Sequence, residues 1–241
     1  MGPVDLAQVD GENTVLLRGF SRVPAAVVTG QKLRGIVGPT GFRGLKALFA
    51  VAILHGEFEA RNLRTSTTFP VTLERMQSVA HMSRTNASSA IHFLVDNGFI
   101  RPAPPDATAR IRSKRPRFEY AVLPMPFFSF PRNHVAGYDL LGNVRIGTDI
   151  SLGALKIYLL LLARRDWDGP FSRATYKVME DATGVARKDI NPSLSLLTEN
   201  SLIQRGRLVT DDVYTVRYFI RGLGSQPAAA AWRGETVRDD D

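Results

Sequence analysis

The sequence predicts a mainly α chain with small β wings (α+β), built from one unit of about 75 residues written twice in 241. Two observations predict it. In residues 71–100, VTLERMQSVAHMSRTNASSAIHFLVDNGFI, apolar side chains recur at helical spacing at Leu73, Met76, Val79 and Ala80. They pause at His81, Met82 and Ser83 and resume at Ala87, Ile91, Leu94 and Val95. Laid without a gap within the second such stretch, read over residues 172–203, Arg84 falls on Arg187, Ile91 on Leu194, Leu94 on Leu197, Asn97 on Asn200 and Ile100 on Ile203. Inward positions, a polar stop and a basic residue therefore coincide, as they do when one supersecondary unit is duplicated.

Taken in order, residues 1–43 form an N-terminal extension of unclear structure, with short strands suggested at 14–17 and 25–28. The following GPTGFRGLK is not a phosphate loop, because Leu45 separates Gly44 from Lys46 and alanine comes next. It reads as a flexible lead-in to an apolar first helix at 45–54. Residues 55–70 are polar and read as a loop. Ser83 is a good N-cap for the helix that ends at Asn97 and Gly98, since glycine takes positive φ at little cost. Phe99 to Arg101 and residues 118–122 read as two strands around a long basic loop.

Those strands close a first domain, 44–123, and the proline- and phenylalanine-rich residues 124–149 form an ordered connector. A second domain, 150–220, restarts with an apolar helix at 152–163, in which Leu155 and Lys156 match Leu45 and Lys46. Its turn is expected at Thr183, Gly184 and Val185, and residues 213–220 read as a strand. The small, polar tail 221–241 reads as disordered.

Each unit, carried by VAHMSRTNASSAIHFLVDNGFI and ATGVARKDINPSLSLLTENSLI with a basic turn and strand after it, resembles the winged helix-turn-helix of DNA-binding proteins. The tandem layout is similar to plasmid replication initiators and to winged-helix transcriptional regulators. That resemblance implies a second helix lying in the major groove of double-stranded DNA. With Ala87, Ile91 and Leu94 turned inward, Arg84, Thr85, Asn86, Ser88 and Ser89 point outward. In the second copy Arg187, Lys188, Asp189, Asn191 and Ser195 do so. Arginine bridges guanine O6 and N7, asparagine bridges adenine N6 and N7, and serine or threonine reaches phosphates.

Charge supports a polyanionic partner. The net charge is +8 and the pI about 10.1. Arg101, Arg110, Arg112, Lys114, Arg115 and Arg117 stand against a single Asp106, and Arg205 and Arg207 follow the second copy. Such clusters track phosphates or enter a minor groove, which makes affinity fall with salt. Two features depart from the pattern. Ala186 stands where Ser83 caps the first copy, and Pro192 sits inside the second helix, where it removes a hydrogen bond at about 3 kcal/mol. Either that helix kinks, or it begins at Pro192 and leaves Arg187 and Lys188 in the turn.

Other classes find little support. With no cysteine there are no disulfides, thiol nucleophiles or ordinary structural zinc sites. His55, His81, His92 and His134 have no metal-ligand spacing, so no enzyme, cofactor or metal is expected. No apolar run reaches the roughly 18 residues of a membrane span. No signal peptide is seen, and a cytoplasmic protein is expected.

The sequence therefore points to a site-specific double-stranded DNA-binding protein with two reading heads. It would act as a transcriptional regulator, alone or as a dimer, with the transcription machinery as a further partner. The alternatives are a replication initiator binding repeated origin sequences, partnered by replication machinery, and a structural adaptor using its winged helices for protein contact. Changing Arg112, Lys114 and Arg115 together to alanine is expected to weaken all DNA binding and flatten its salt dependence. An unchanged slope in a salt titration removes this loop from the contact surface.

Overall fold

A computed structural model describes residues 20–24, 27–28, 31–62, 68–102, 117–120, 127–131, 149–165, 171–210 and 213–221. The first copy is built on a long helix, α2 (Gly38–Asn62), preceded by strand β1 (Phe20–Pro24) and a single turn, α1 (Lys32–Gly35). Helix α2 is longer at both ends than the apolar run 45–54. The glycine-rich lead-in is its opening turns: Pro39 sits in the first turn, where a missing N–H has no helical partner to lose. A methyl group added at Gly44 would overlap the Phe93 ring, so the glycine is there for close packing rather than for flexibility. At the other end, residues expected in a loop stay helical because the helix keeps burying side chains. His55 is buried with its ring 5.0 Å from that of Phe69, and Phe58 lies 6.4 Å from the same ring.

The remaining elements fall into two matching series. After α2 come β2 (Thr68–Pro70), α3 (Leu73–Ala80), α4 (Arg84–Asp96), β3 (Ile100–Pro102) and β4 (Arg117–Tyr120). Strand β5 (Phe127–Pro131) pairs antiparallel with β1. Helix α5 (Asp149–Ala163) opens the second series, followed by β6 (Phe171–Ser172), α6 (Tyr176–Thr183), α7 (Arg187–Glu199), β7 (Ile203–Thr210) and β8 (Val213–Ile220). Each series has an antiparallel three-stranded sheet, in the orders β2-β4-β3 and β6-β8-β7. The chain is thus mainly helical with small antiparallel sheets.

The register of the repeat holds to the residue. Helices α3 and α6 start at 73 and 176, and α4 and α7 at 84 and 187, a separation of 103 in both cases. Thr72 and Thr175 cap α3 and α6 by accepting from the N–H groups of Arg75 and Val178. At the far end, the Asn97 and Asn200 amides each donate to the carbonyl four residues back, at 2.8 Å in both copies. Left-handed backbone also recurs at the same spacing. His81 (φ 48) matches Gly184 (φ 68), and Gly98 (φ 69) matches Ser201 (φ 56). Gly184 caps α6, so the second turn runs over 184–186, one residue later than the spacing of apolar residues suggests.

The two series share one apolar core. Residues 151–162 of α5 are all buried, which no single neighbour could achieve, and α2 packs along α5 with the Phe49 and Tyr158 rings 6.0 Å apart. Burying the Phe49 ring contributes about 1.5–3 kcal/mol. Val23, Val27, Leu33 and Ile36 join this core. The strand falls at 20–24, with Val27 and Val28 in the turn after it instead of in the strand expected at 25–28. Helix α1 reaches both copies: Leu33 is fully buried, the Lys32 ammonium lies 5.5 Å over the Phe99 ring, and Arg34 presses on Gly184. The expectations for 14–17, for most of the connector and for the tail lie outside the described residues.

Gly98 and Gly184 share a φ but differ in surroundings. A Cβ at Gly98 meets nothing within 4 Å, whereas one at Gly184 lies 2.8 Å from Arg34 Cγ and 3.3 Å from its Cα. Gly98→Ala is therefore expected to lose about 1 kcal/mol from backbone strain alone. Gly184→Ala is expected to lose distinctly more in denaturant unfolding. Equal losses would show that α1 does not bear on the second turn.

Candidate nucleic-acid interface

The second helix of each pair presents one face to the core and one to solvent. In α4, Ala87, Ala90, Ile91 and Leu94 are buried, Arg84, Thr85 and Ser89 are exposed, and Asn86 and Ser88 are half-buried. In α7, Ile190, Ser193, Leu194 and Leu197 are buried, Arg187, Lys188 and Asn191 are exposed, and Asp189 and Ser195 are half-buried. Both outward sets lie where the repeat places them. Ser83 caps α4 by accepting from Asn86 N–H, while Ala186 makes no side-chain cap for α7.

Helix α7 runs unbroken from Arg187 through the exposed Pro192, so Arg187 and Lys188 belong to the helix and not to the turn. A tight bond from Asp189 N–H to the Ala186 carbonyl (2.8 Å) closes its first turn, and the Asp189 carboxylate favours the positive end of the helix. These contacts partly offset the hydrogen bond that Pro192 cannot make.

A side-chain network crosses this end of α7. Arg205, on β7, donates from Nη1 to Asn191 Oδ1 (2.7 Å) and from Nη2 to the Asn191 carbonyl (3.1 Å) and Ser195 Oγ (3.5 Å). The Tyr176 hydroxyl donates to the same Asn191 Oδ1 at 3.3 Å, and the Arg187 guanidinium stacks 4.8 Å over the Tyr176 ring. Asn191 and Ser195 come together because residues four apart share a helix face. Subtracting 103 gives Leu73, Ser88, His92 and Pro102 at the positions of Tyr176, Asn191, Ser195 and Arg205. The first copy cannot build this network. Tyr176 escapes the sequence reading; its signal is an aromatic hydroxyl at the helix start where the first copy has plain leucine.

Arg117 lies on β4, opposite Pro70 of β2, and Arg207 on β7, opposite Val216 of β8. Arg110, Arg112, Lys114 and Arg115 lie outside the described residues. Among the described residues no group of three or more His, Asp or Glu could hold a metal ion, and no helix is long and apolar enough to cross a membrane.

Behind α7, the turn is held by a buried cation. Lys156 of α5 is 3% exposed, and its Nζ donates to the carbonyl of Thr183, the last residue of α6, at 2.8 Å. Thr183 Oγ1 donates to the Met179 carbonyl and accepts from Val185 N–H, which ties both sides of the turn. Lys46, the matching residue of α2, is buried to the same extent, with its ammonium 5.7 Å over the Phe42 ring. Burial lowers the Lys156 pKa from its ordinary 10.5 to about 8. Between those pH values the folded chain has released a proton that the unfolded chain still holds, so this group's contribution to stability rises with pH. The stability of the protein relative to its Lys156→Met variant is therefore expected to increase from pH 8 to pH 10 in paired denaturant titrations. A difference that stays flat would place the ammonium in water.

The chain matches no protein-family model, no curated protein and no solved structure.

Proposed function

We propose that the chain is a tandem winged helix-turn-helix protein that binds double-stranded DNA at a specific site and acts as a transcriptional regulator. One observation carries the reading: α4 and α7 each bury an apolar face while their first turns offer an exposed arginine, Arg84 and Arg187, at the same place in the repeat. A helix N-terminus with cationic and amide or hydroxyl side chains suits phosphates and base edges. The order helix, strand, helix, turn, helix and two-stranded ribbon, found in both series, is the order of a winged helix. The net charge of +8 adds a sequence-independent attraction to the duplex. Because α2 packs on α5, the two heads would meet DNA as one unit.

A second reading, a replication initiator binding repeated origin sequences, gains from the unlike heads. Tyr176, Asn191 and Arg205 in one copy face Leu73, Ser88 and Pro102 in the other. Unlike heads suit an asymmetric site repeated head to tail, whereas a symmetric dimer of regulators prefers an inverted repeat. An adaptor that binds only protein calls for acidic or apolar outer faces, and apart from Asp189 the first turns of α4 and α7 are cationic or neutral polar on that side.

The test is binding to DNA fragments selected from a random pool, followed by fluorescence anisotropy. Arg84→Ala combined with Arg187→Ala is expected to weaken the selected site by roughly thirtyfold or more, each bidentate arginine contact being worth about 1–3 kcal/mol. The circular dichroism spectrum should stay unchanged. Unaltered affinity would take both helices off the DNA, and no binding by the unaltered protein at low salt would end the reading.

A further inference from the structure

The network on α7 decides which way Asn191 can face a base. A guanidinium has donors and no acceptor, so the amide atom 2.7 Å from Arg205 Nη1 is the oxygen. That oxygen also receives the Tyr176 hydroxyl at 3.3 Å. An amide oxygen has two lone pairs, and both are now taken inside the protein. What remains free on the exposed Asn191 is the Nδ2 amino group, a pure donor. The bidentate adenine contact expected of an asparagine needs Oδ1 to accept from N6 while Nδ2 donates to N7. Here Oδ1 is committed elsewhere.

We infer that Asn191 is a pre-set hydrogen-bond donor that reads guanine in the major groove, with Arg205 and Tyr176 as its positioning residues. The inference rests on the proposed DNA-binding reading and names what one position of that site must contain. Guanine presents two adjacent acceptors, O6 and N7, to the two hydrogens of the amino group, whereas cytosine presents a donor that Nδ2 cannot use. The neighbours have the same sign. Arg187, laid on Tyr176, has only donors; Ser195 Oγ accepts from Arg205 and keeps its own hydrogen to give. The half-buried Asp189 is the acidic exception in this first turn. Ser88, the matching residue of the first copy, is a hydroxyl that donates or accepts and has no such constraint.

The experiment is selection of binding sites from a random double-stranded pool by the full chain and by its Asn191→Ala, Arg205→Ala and Tyr176→Phe variants. The unaltered protein is expected to select guanine at one position, and Asn191→Ala to lose that preference alone, by roughly five- to a hundredfold. Arg205→Ala is expected to admit adenine there, because a freed Oδ1 can accept from N6. Tyr176→Phe keeps the ring under Arg187, returns one lone pair and is expected to do the same more weakly. It keeps the test decisive if Arg205→Ala does not fold. Asn191→Ala retaining the guanine preference, or adenine at that position for the unaltered protein, overturns the inference while leaving DNA binding intact. An unchanged ratio of guanine to adenine in Tyr176→Phe and in any folded Arg205→Ala overturns the positioning roles. No selection by the unaltered protein defeats the DNA-binding reading and this inference with it.

Discussion

The packing of α2 against α5 is the constraint on which the other elements depend. Both helices are apolar nearly all round, so neither can lie on a surface, and each needs cover on every side. Part of that cover comes from within its own copy, through α4 on α2 and α7 on α5. The rest comes from the other copy, with Phe49 meeting Tyr158, and from the β1–β5 ribbon. A chain of two independent modules would leave these surfaces in water. The same burial that stabilises each helix pair also joins the pairs.

Within that frame, conformational demands repeat while chemistry diverges. The left-handed position after the second helix of the unit is histidine in one copy and glycine in the other, and the one after the third helix is glycine and then serine. Sequence comparison by residue type would miss both, since what is repeated is a backbone angle. The buried lysines show the same kind of persistence. Lys46 and Lys156, paired at a spacing of 110 rather than 103, are both buried on the first long helix of their copy, and Lys156 reaches the carbonyl end of α6, where a cation opposes the helix dipole. A lysine there is a polar strut through an apolar core, and burial makes it easier to deprotonate.

The outer faces follow different rules. Beyond the shared Arg84 and Arg187, the outward side chains of α4 and α7 differ in kind between the two copies. In α7 the difference is organised: a tyrosine from the preceding helix and an arginine from the following strand converge on the Asn191 amide, and the same arginine reaches Ser195. In α4 the matching residues are leucine, serine, histidine and proline, which cannot converge in that way.

The repeat, the two short helices of each copy, the Ser83 cap, the polar stops at Asn97 and Asn200 and the outward set beginning at Arg84 were legible in the chain itself, while Pro192 left the place of Arg187 open until α7 was seen unbroken. Helical periodicity is a local property, and a repeat of 103 residues is visible without any knowledge of contacts. The extent of α2 was not legible, because Pro39, Gly41 and Gly44 read as breakers until Phe93 is seen to need the space. Nor was the strut α1, since four residues carry no period, nor the bond from Arg205 to Asn191 across 14 residues of helix end, turn and strand. Sequence alone determined which faces are apolar, because that depends on spacing along one element. Only the tertiary structure decided what covers them and which donors each amide meets, because those depend on residues brought together from different elements.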